Sequence, residues 1–321
     1  MKGAEDLDRI QLDRTVRNRR RIGWWLVLLF GAPLLFVCYR ISKSWLTEST
    51  SPAQASSSSE LPFEESPSNL RVGETPHPLD PVLSLAKELL LEHRQRHASY
   101  TATVRKRERV GSKLSPESRM SLKLRYREVE SFPSARQIDV YLKFLEPKGQ
   151  AGREVIWREG ENDNLMVVHE SGLLNVTRVQ LAPNSRLAML GNRYPLSDIG
   201  IEKLLLKLIA RGTRDRGMGD CEVRLIDSIN VENRECQRIE VCHPERAVLV
   251  DGEEREHEHY KAIIDIDREH RVPIRYASYL WPDSNGGDAP IDEEFAYEDL
   301  VLNPTIEDID FNPDNPAYNY P

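Results

Sequence analysis

Residues 119–126 read RMSLKLRY and residues 137–144 read QIDVYLKF. In the first, Met120, Leu122, Leu124 and Tyr126 alternate with Arg119, Ser121, Lys123 and Arg125. In the second, Ile138, Val140, Leu142 and Phe144 alternate with Asp139, Tyr141 and Lys143. A period of two places one set of side chains on each face of a pleated strand, so each stretch predicts a strand with one face in a core and one in water. Tyr260, Ala262, Ile264 and Ile266 repeat the pattern.

Outward from these segments, eleven strands are expected, near 100–110, 118–128, 137–145, 153–158, 164–169, 174–181, 221–230, 235–243, 259–268, 272–281 and 294–302. Two stretches change to a helical period. Asp80-Pro81 opens the first, Asp80 as N-cap, with Val82, Leu83, Leu85, Leu89 and Leu90 in its apolar stripe. The second spans about 197–210, with Ile201, Leu204, Leu205, Leu208 and Ile209 in the stripe and Gly212 ending it. The expected class is α+β and mostly antiparallel: an incomplete, curved β-barrel with helices on its concave face. So many strands offer more inner apolar surface than two short helices cover. Leu83, Leu89, Leu90, Leu204, Leu205 and Leu208 are therefore the candidates to line or close a cavity, the first helix acting as lid.

Before that domain, taken as residues 79–321, the chain changes character. Residues 1–21 hold seven basic and four acidic residues. Ile22 to Tyr39, IGWWLVLLFGAPLLFVCY, carries no charge. At about 1.5 Å per residue such a helix reaches roughly 27 Å, near the thickness of a bilayer's hydrocarbon core. The basic flank places the N-terminus in the cytoplasm, so 22–39 is expected to be a transmembrane signal anchor behind a cytoplasmic tail. A cleavable signal peptide is the rival, although Ala53-Gln54-Ala55 lies well beyond the apolar run. Residues 40–78, rich in Ser and Pro, make a flexible linker. The expected arrangement is single-pass, with the C-terminal domain on the extracytoplasmic side.

The net charge is −8, and the N-terminal 21 residues contribute +3, so everything after them is at −11. An acidic body repels phosphate backbones and argues against nucleic acid as partner. Glycine-rich phosphate loops, nucleophile elbows and zinc-protease helix motifs do not occur, so neither cofactor nor catalytic residues are expected. His257-Glu258-His259 sets two imidazoles on one strand face, but no third ligand is identifiable and no metal is expected. Asp283, Asn285 and Glu294 match three positions of a calcium loop, yet Asp288 stands where the loop needs glycine. Asp308, Asp310 and Asp314 read as solvated charges. Cys221, Cys236 and Cys242 flank or occupy one hairpin. Cys236 and Cys242 are too far apart along a strand to pair, so Cys221 with either is the expected bridge, and buried thiols are the alternative.

YTATVRKRERV (100–110), VYLKFLEP (140–147), GREVIW (152–157), RYPLSDIGI (193–201), AYEDLVLN (296–303) and DIDFNPDNPAYNY (308–320) resemble, in order, the bacterial family called domain of unknown function 1571. That family is similar to the periplasmic lipoprotein carriers LolA and LolB. The resemblance implies an incomplete β-barrel closed by helices over an apolar cavity. The function expected is a membrane-anchored extracytoplasmic binding protein that holds a lipid or a lipoprotein acyl chain. Its alternatives are an envelope sensor or scaffold binding a polypeptide, and a metal-dependent hydrolase.

Overall fold

In the computed structural model, residues 76–321 are described, apart from 130–131, 173–175, 220 and 285. The tail, the expected anchor at 22–39 and nearly all of the linker lie outside the described residues. Among the described residues no helix is long and apolar enough to cross a membrane.

Eleven strands form one antiparallel path: β7 (Val179–Leu181), β6 (Met166–His169), β5 (Glu154–Arg158), β4 (Phe132–Glu146), β3 (Ser118–Val129), β1 (Ser99–Val110), β14 (Ile291–Leu302), β13 (Val272–Tyr279), β12 (Lys261–Asp267), β9 (Arg234–Cys242) and β8 (Glu222–Val231). The two-residue β2 (Lys113–Leu114) pairs with β1 and makes twelve. These eleven correspond to the eleven expected. A separate hairpin, β10 (Ala247–Val250) with β11 (Glu253–Glu256), was not expected. Its turn places Asp251 and Gly252 at φ +53° and +84°, the left-handed pair that a tight hairpin requires.

The two edge strands, β7 and β8, are neighbours in sequence. The chain leaves one edge, runs through an irregular stretch (182–200) and helix α2 (Ile201–Arg216), and enters the other. α2 and α1 (Asp80–Arg96) pack against each other on the concave face. Gly212 does not end α2, which continues to Arg216. Instead it admits α1, since a Cβ there would stand 2.9 Å from Leu83 Cδ2. Asp80 is likewise not a cap. Leu79 holds that position, and Asp80 accepts from the His77 amide (2.9 Å) and from Arg216 Nε (2.5 Å).

The alternating residues behave as their period requires on the concave side: Leu122, Leu124, Val140 and Tyr100 are fully buried there. The convex side is not simply in water. Asp139 is inaccessible beneath Arg125 (2.7 Å), Arg127 (2.8 Å) and Arg158 (3.3 Å). Asp265 is inaccessible beneath Arg238 (2.6 Å) and Arg275 (3.0 Å). Long arginine stems laid across short aspartates cover them while keeping each guanidinium at the surface. Glu294 belongs to this lattice on β14, bonded to Arg275 at 2.8 Å.

The C-terminal segment is a strap across the same face. Tyr318 stacks on Tyr141 (4.1 Å between centroids), and Phe311 packs with Tyr141 and Ile156 beneath Arg125. Each of its aspartates has a cation: Asp308 with Arg125 (2.6 Å), Asp310 with Lys123 (2.6 Å) and Asp314 with Arg178 (2.8 Å). Asp310 is mostly covered and acts as a docking charge, whereas Asp308 and Asp314, 82% and 72% exposed, are solvated as expected.

Candidate functional site

Val179 on β7 and Tyr276 on β13 lie seven strand steps apart. A flat sheet would hold them roughly 33 Å apart at about 4.7 Å per step. Both nevertheless line one cavity of about 520 Å³, so the sheet curls around it. The floor comes from the concave residues of the central strands, among them Val104, Met120, Leu142, Phe144, Val155 and Met166. The roof is α2, through Leu204 and Leu208, with the irregular segment that carries Leu187, Leu190, Tyr194 and Leu196.

The N-terminus of α2 is tied to the floor. The Ile201 amide donates to Tyr100 Oη (3.1 Å) and the Glu202 amide to Tyr126 Oη (3.4 Å), two otherwise unpaired amides of a helix start. Gly200 makes this approach possible. Its φ of +109° with ψ 161° belongs to a region open essentially to glycine, and a Cβ there would stand 2.9 Å from Tyr100 Oη. Glu202 then accepts from Arg94 of α1 (2.9 Å) and Arg136 of β4 (3.1 Å), joining both helices to the sheet.

The cavity wall also carries charges, and they are paired. Lys106 Nζ lies 3.0 Å from Glu108 and donates to Asn192 (2.8 Å). Arg211 donates to Glu293 (3.0 Å), Tyr276 (2.6 Å) and Tyr194 (2.9 Å). Burial works against the Arg211 charge, but Tyr276 and Glu293 outweigh it and hold the guanidinium well above its ordinary range. Burial, and then Glu293, push Tyr194 up, so its hydroxyl stays protonated. The opposite signal sits at the rim, where Leu187 and Leu190 are 58% and 62% exposed. The chamber is therefore mainly apolar, with paired charges set into its wall and a greasy lip.

Of the six leucines singled out from sequence, Leu204 and Leu208 line this chamber. Leu83, Leu89 and Leu205, with Leu208 again, surround a second cavity of about 80 Å³ between the helices and β9–β12. Leu90 is buried core and lines neither. α1 is thus not the lid of the large chamber: it fills the other half of the concave face, because its stripe meets Ile239, Val241 and Ile264. Residues 182–200, which do roof the chamber, are aperiodic, and periodicity carried no sign of them. Among the described residues no disulfide joins Cys221, Cys236 and Cys242 to one another. Cys236 lies opposite Ile229 and Asp267, and Cys242 opposite Glu222 and Lys261, so the expected bridge from Cys221 is absent from the structure. His257 and His259 do not act together. His259 turns to Asp292 (3.3 Å), while His257 stacks on His243 (4.0 Å between centroids).

An open antiparallel sheet curled about an apolar chamber, with its two edges joined through a roofing helix, is the class of protein these features define. The family described as "Protein of unknown function (DUF1571)" matches residues 97–320, and the chain belongs to it. No curated protein matches the chain. Three solved structures to which it is similar are a putative outer membrane lipoprotein-sorting protein domain from Vibrio parahaemolyticus, the lipoprotein LppX of Mycobacterium tuberculosis, and the MucA/MucB complex of Pseudomonas aeruginosa. The first is 14% identical over 72% of this chain and 95% of its own, with a TM-score of 0.32. LppX is 14% identical over 71% and 100%, with a TM-score of 0.35. The third is 15% identical over 72% and 60%, with a TM-score of 0.37.

Proposed function

We propose that this chain is a membrane-anchored binding protein of the bacterial envelope whose extracytoplasmic domain holds a lipid or acyl chain, and that it is not an enzyme. The supporting observation is the chamber itself. About 520 Å³ lies within the size of small-ligand sites, roughly 300–1,000 Å³, and its walls are mainly aliphatic and aromatic. Each methylene moved from water into such walls contributes about 0.8 kcal/mol, so even part of an acyl chain binds usefully. The paired charges in its wall suit an ester or carboxyl head, which hydrogen-bonds without needing an unpaired ion. The exposed leucines at the rim suit a ligand delivered from a membrane. Anchoring rests on the uncharged Ile22–Tyr39 run and its basic flank.

The binding claim is tested by native mass spectrometry of the full chain released from mild detergent. A bound lipid mass on the wild type, absent from Leu204→Asp, is the expected result. A wild-type protein free of lipid, or one that carries a co-purifying polypeptide in its place, refutes it. The anchor claim is tested separately by alkaline extraction. The full chain should stay with the membrane pellet, and a mature N-terminus near Ser44 or Ala55 would overturn it.

A further inference from the structure

Away from the chamber, three side chains converge that the proposed function does not use. Asp215 comes from the last turn of α2, His243 from the residue after β9, and His257 from the residue after β11. One ligand atom from each lies within 4.8 Å of the other two. His243 Nε2 is 3.5 Å from Asp215 Oδ2, and His257 Nδ1 is 3.9 Å from Oδ1. Both imidazoles are almost wholly buried, with side chains 6% and 1% exposed, and their rings stack within 15° of parallel.

Asp215 Oδ1 and His257 Nδ1, 3.9 Å apart, have no hydrogen-bond partner, and His243 turns its Nε2 to the same carboxylate. A buried polar atom left unpaired costs free energy comparable to a lost hydrogen bond, and two beside each other ask for a common partner. Nearby charges do not supply it. Arg214 comes within 3.6 Å of Asp215 Oδ1 but gives its hydrogen bond to Glu258 (2.8 Å), which also takes Arg211 at 3.3 Å.

We infer that Asp215, His243 and His257 form a binding site for a divalent transition-metal cation of the zinc type. Two imidazoles and one carboxylate suit Zn²⁺, Co²⁺ or Ni²⁺, whereas Ca²⁺ and Mg²⁺ need more oxygens than this set offers. Metal–ligand bonds of about 2.0–2.1 Å place tetrahedral ligand atoms about 3.3 Å apart, so small side-chain rotations draw the three together. Three protein ligands leave a fourth position for water. The site also has a mechanical consequence. The β10–β11 hairpin pairs only with itself and is held at its base by the His257 amide to the Arg246 carbonyl (3.0 Å) and the His243 amide to the Tyr260 carbonyl (2.8 Å). A cation would pin that base to α2, the helix that roofs the chamber.

The test uses the full chain, stripped with EDTA and titrated with ZnCl₂ and with CoCl₂. One equivalent of Zn²⁺ is expected to bind, and Co²⁺ to give the visible absorption of a tetrahedral nitrogen–oxygen site without thiolate charge transfer. Zn²⁺ should also slow tryptic cleavage at Arg246, just before the hairpin, and at Arg255, within β11. His243→Ala, His257→Ala or Asp215→Asn should weaken binding at least about tenfold, and His259→Gln should not. Failure of the stripped wild type to take up one equivalent overturns the site whether or not the variants fold. So does stoichiometric binding that survives loss of both histidines, which would place the metal elsewhere on the chain.

Discussion

Gly200→Ala concentrates the architecture of the chamber in one methyl group. The new Cβ sits at φ +109°, ψ 161°, where an L-residue costs about 1–3 kcal/mol. It also stands 2.9 Å from Tyr100 Oη, which must retreat and leave the Ile201 amide without its acceptor. An unsatisfied buried amide costs about 1–3 kcal/mol more, so a total near 3 kcal/mol is expected. For a domain of this size that is a fall of about 6–12 °C in Tm. Urea and thermal unfolding of the full chain, followed by tyrosine and tryptophan fluorescence, measure it. Tyr100→Phe, which removes the acceptor without straining the backbone, should cost only about 1–2 kcal/mol. If Gly200→Ala unfolds within about 0.5 kcal/mol of wild type, or Tyr100→Phe costs as much as the glycine variant, the tied-helix account is wrong.

Other perturbations carry equally definite outcomes. Asp139→Asn leaves Arg125, Arg127 and Arg158 without their shared anion, and a loss of about 3 kcal/mol is expected in urea unfolding. His93 is buried against Tyr126 Oη (3.0 Å), and burial lowers its pKa to about 3 from an ordinary 6.5. The folded state therefore holds His93 neutral while the unfolded chain protonates near 6.5, so its stabilising contribution is complete above that pH and is lost progressively as the pH falls toward 3. About 2 kcal/mol should disappear between pH 6.5 and 5, and His93→Gln should flatten that slope in denaturant titrations. Burial pushes the Cys236 thiol up to about 11, so it should resist alkylation at pH 8 in the folded protein and react only on unfolding. Unfolding without reductant should then make both Cys236 and Cys242 alkylatable, whereas a peptide pair linked through either would prove a bridge.

The sequence was most legible where a face meets the core on one side only. Met120 to Tyr126 and Ile138 to Phe144 alternate because their partners do, and that repetition marked the strands and their inner faces. It did not reveal what covers the outer face. Arg125, Arg127 and Arg158 look like solvent charges until Asp139 is placed beneath them by the pairing of β3, β4 and β5. The strap was visible as a phrase, DIDFNPDNPAYNY, but stacking of Tyr318 on Tyr141 depends on a chain reversal that local pattern does not encode. The candidate chamber was half legible. Leu204 and Leu208 came from helical period, whereas Leu187 and Leu190 sit in an aperiodic stretch. The histidine cluster was hidden for a related reason: His257 and His259 are two apart in sequence, while His243 and Asp215 reach the site through separate elements.

The central claim is that the chamber takes up an acyl chain, and saturable binding of a fluorescent fatty-acyl probe by the full chain in mild detergent tests it most directly. One probe per chain is expected, displaced by unlabelled fatty acid and weakened at least about a hundredfold by Leu204→Asp, which sets a carboxylate among apolar walls. Non-saturable uptake by the wild type, or an unchanged affinity in a folded Leu204→Asp variant, would contradict it.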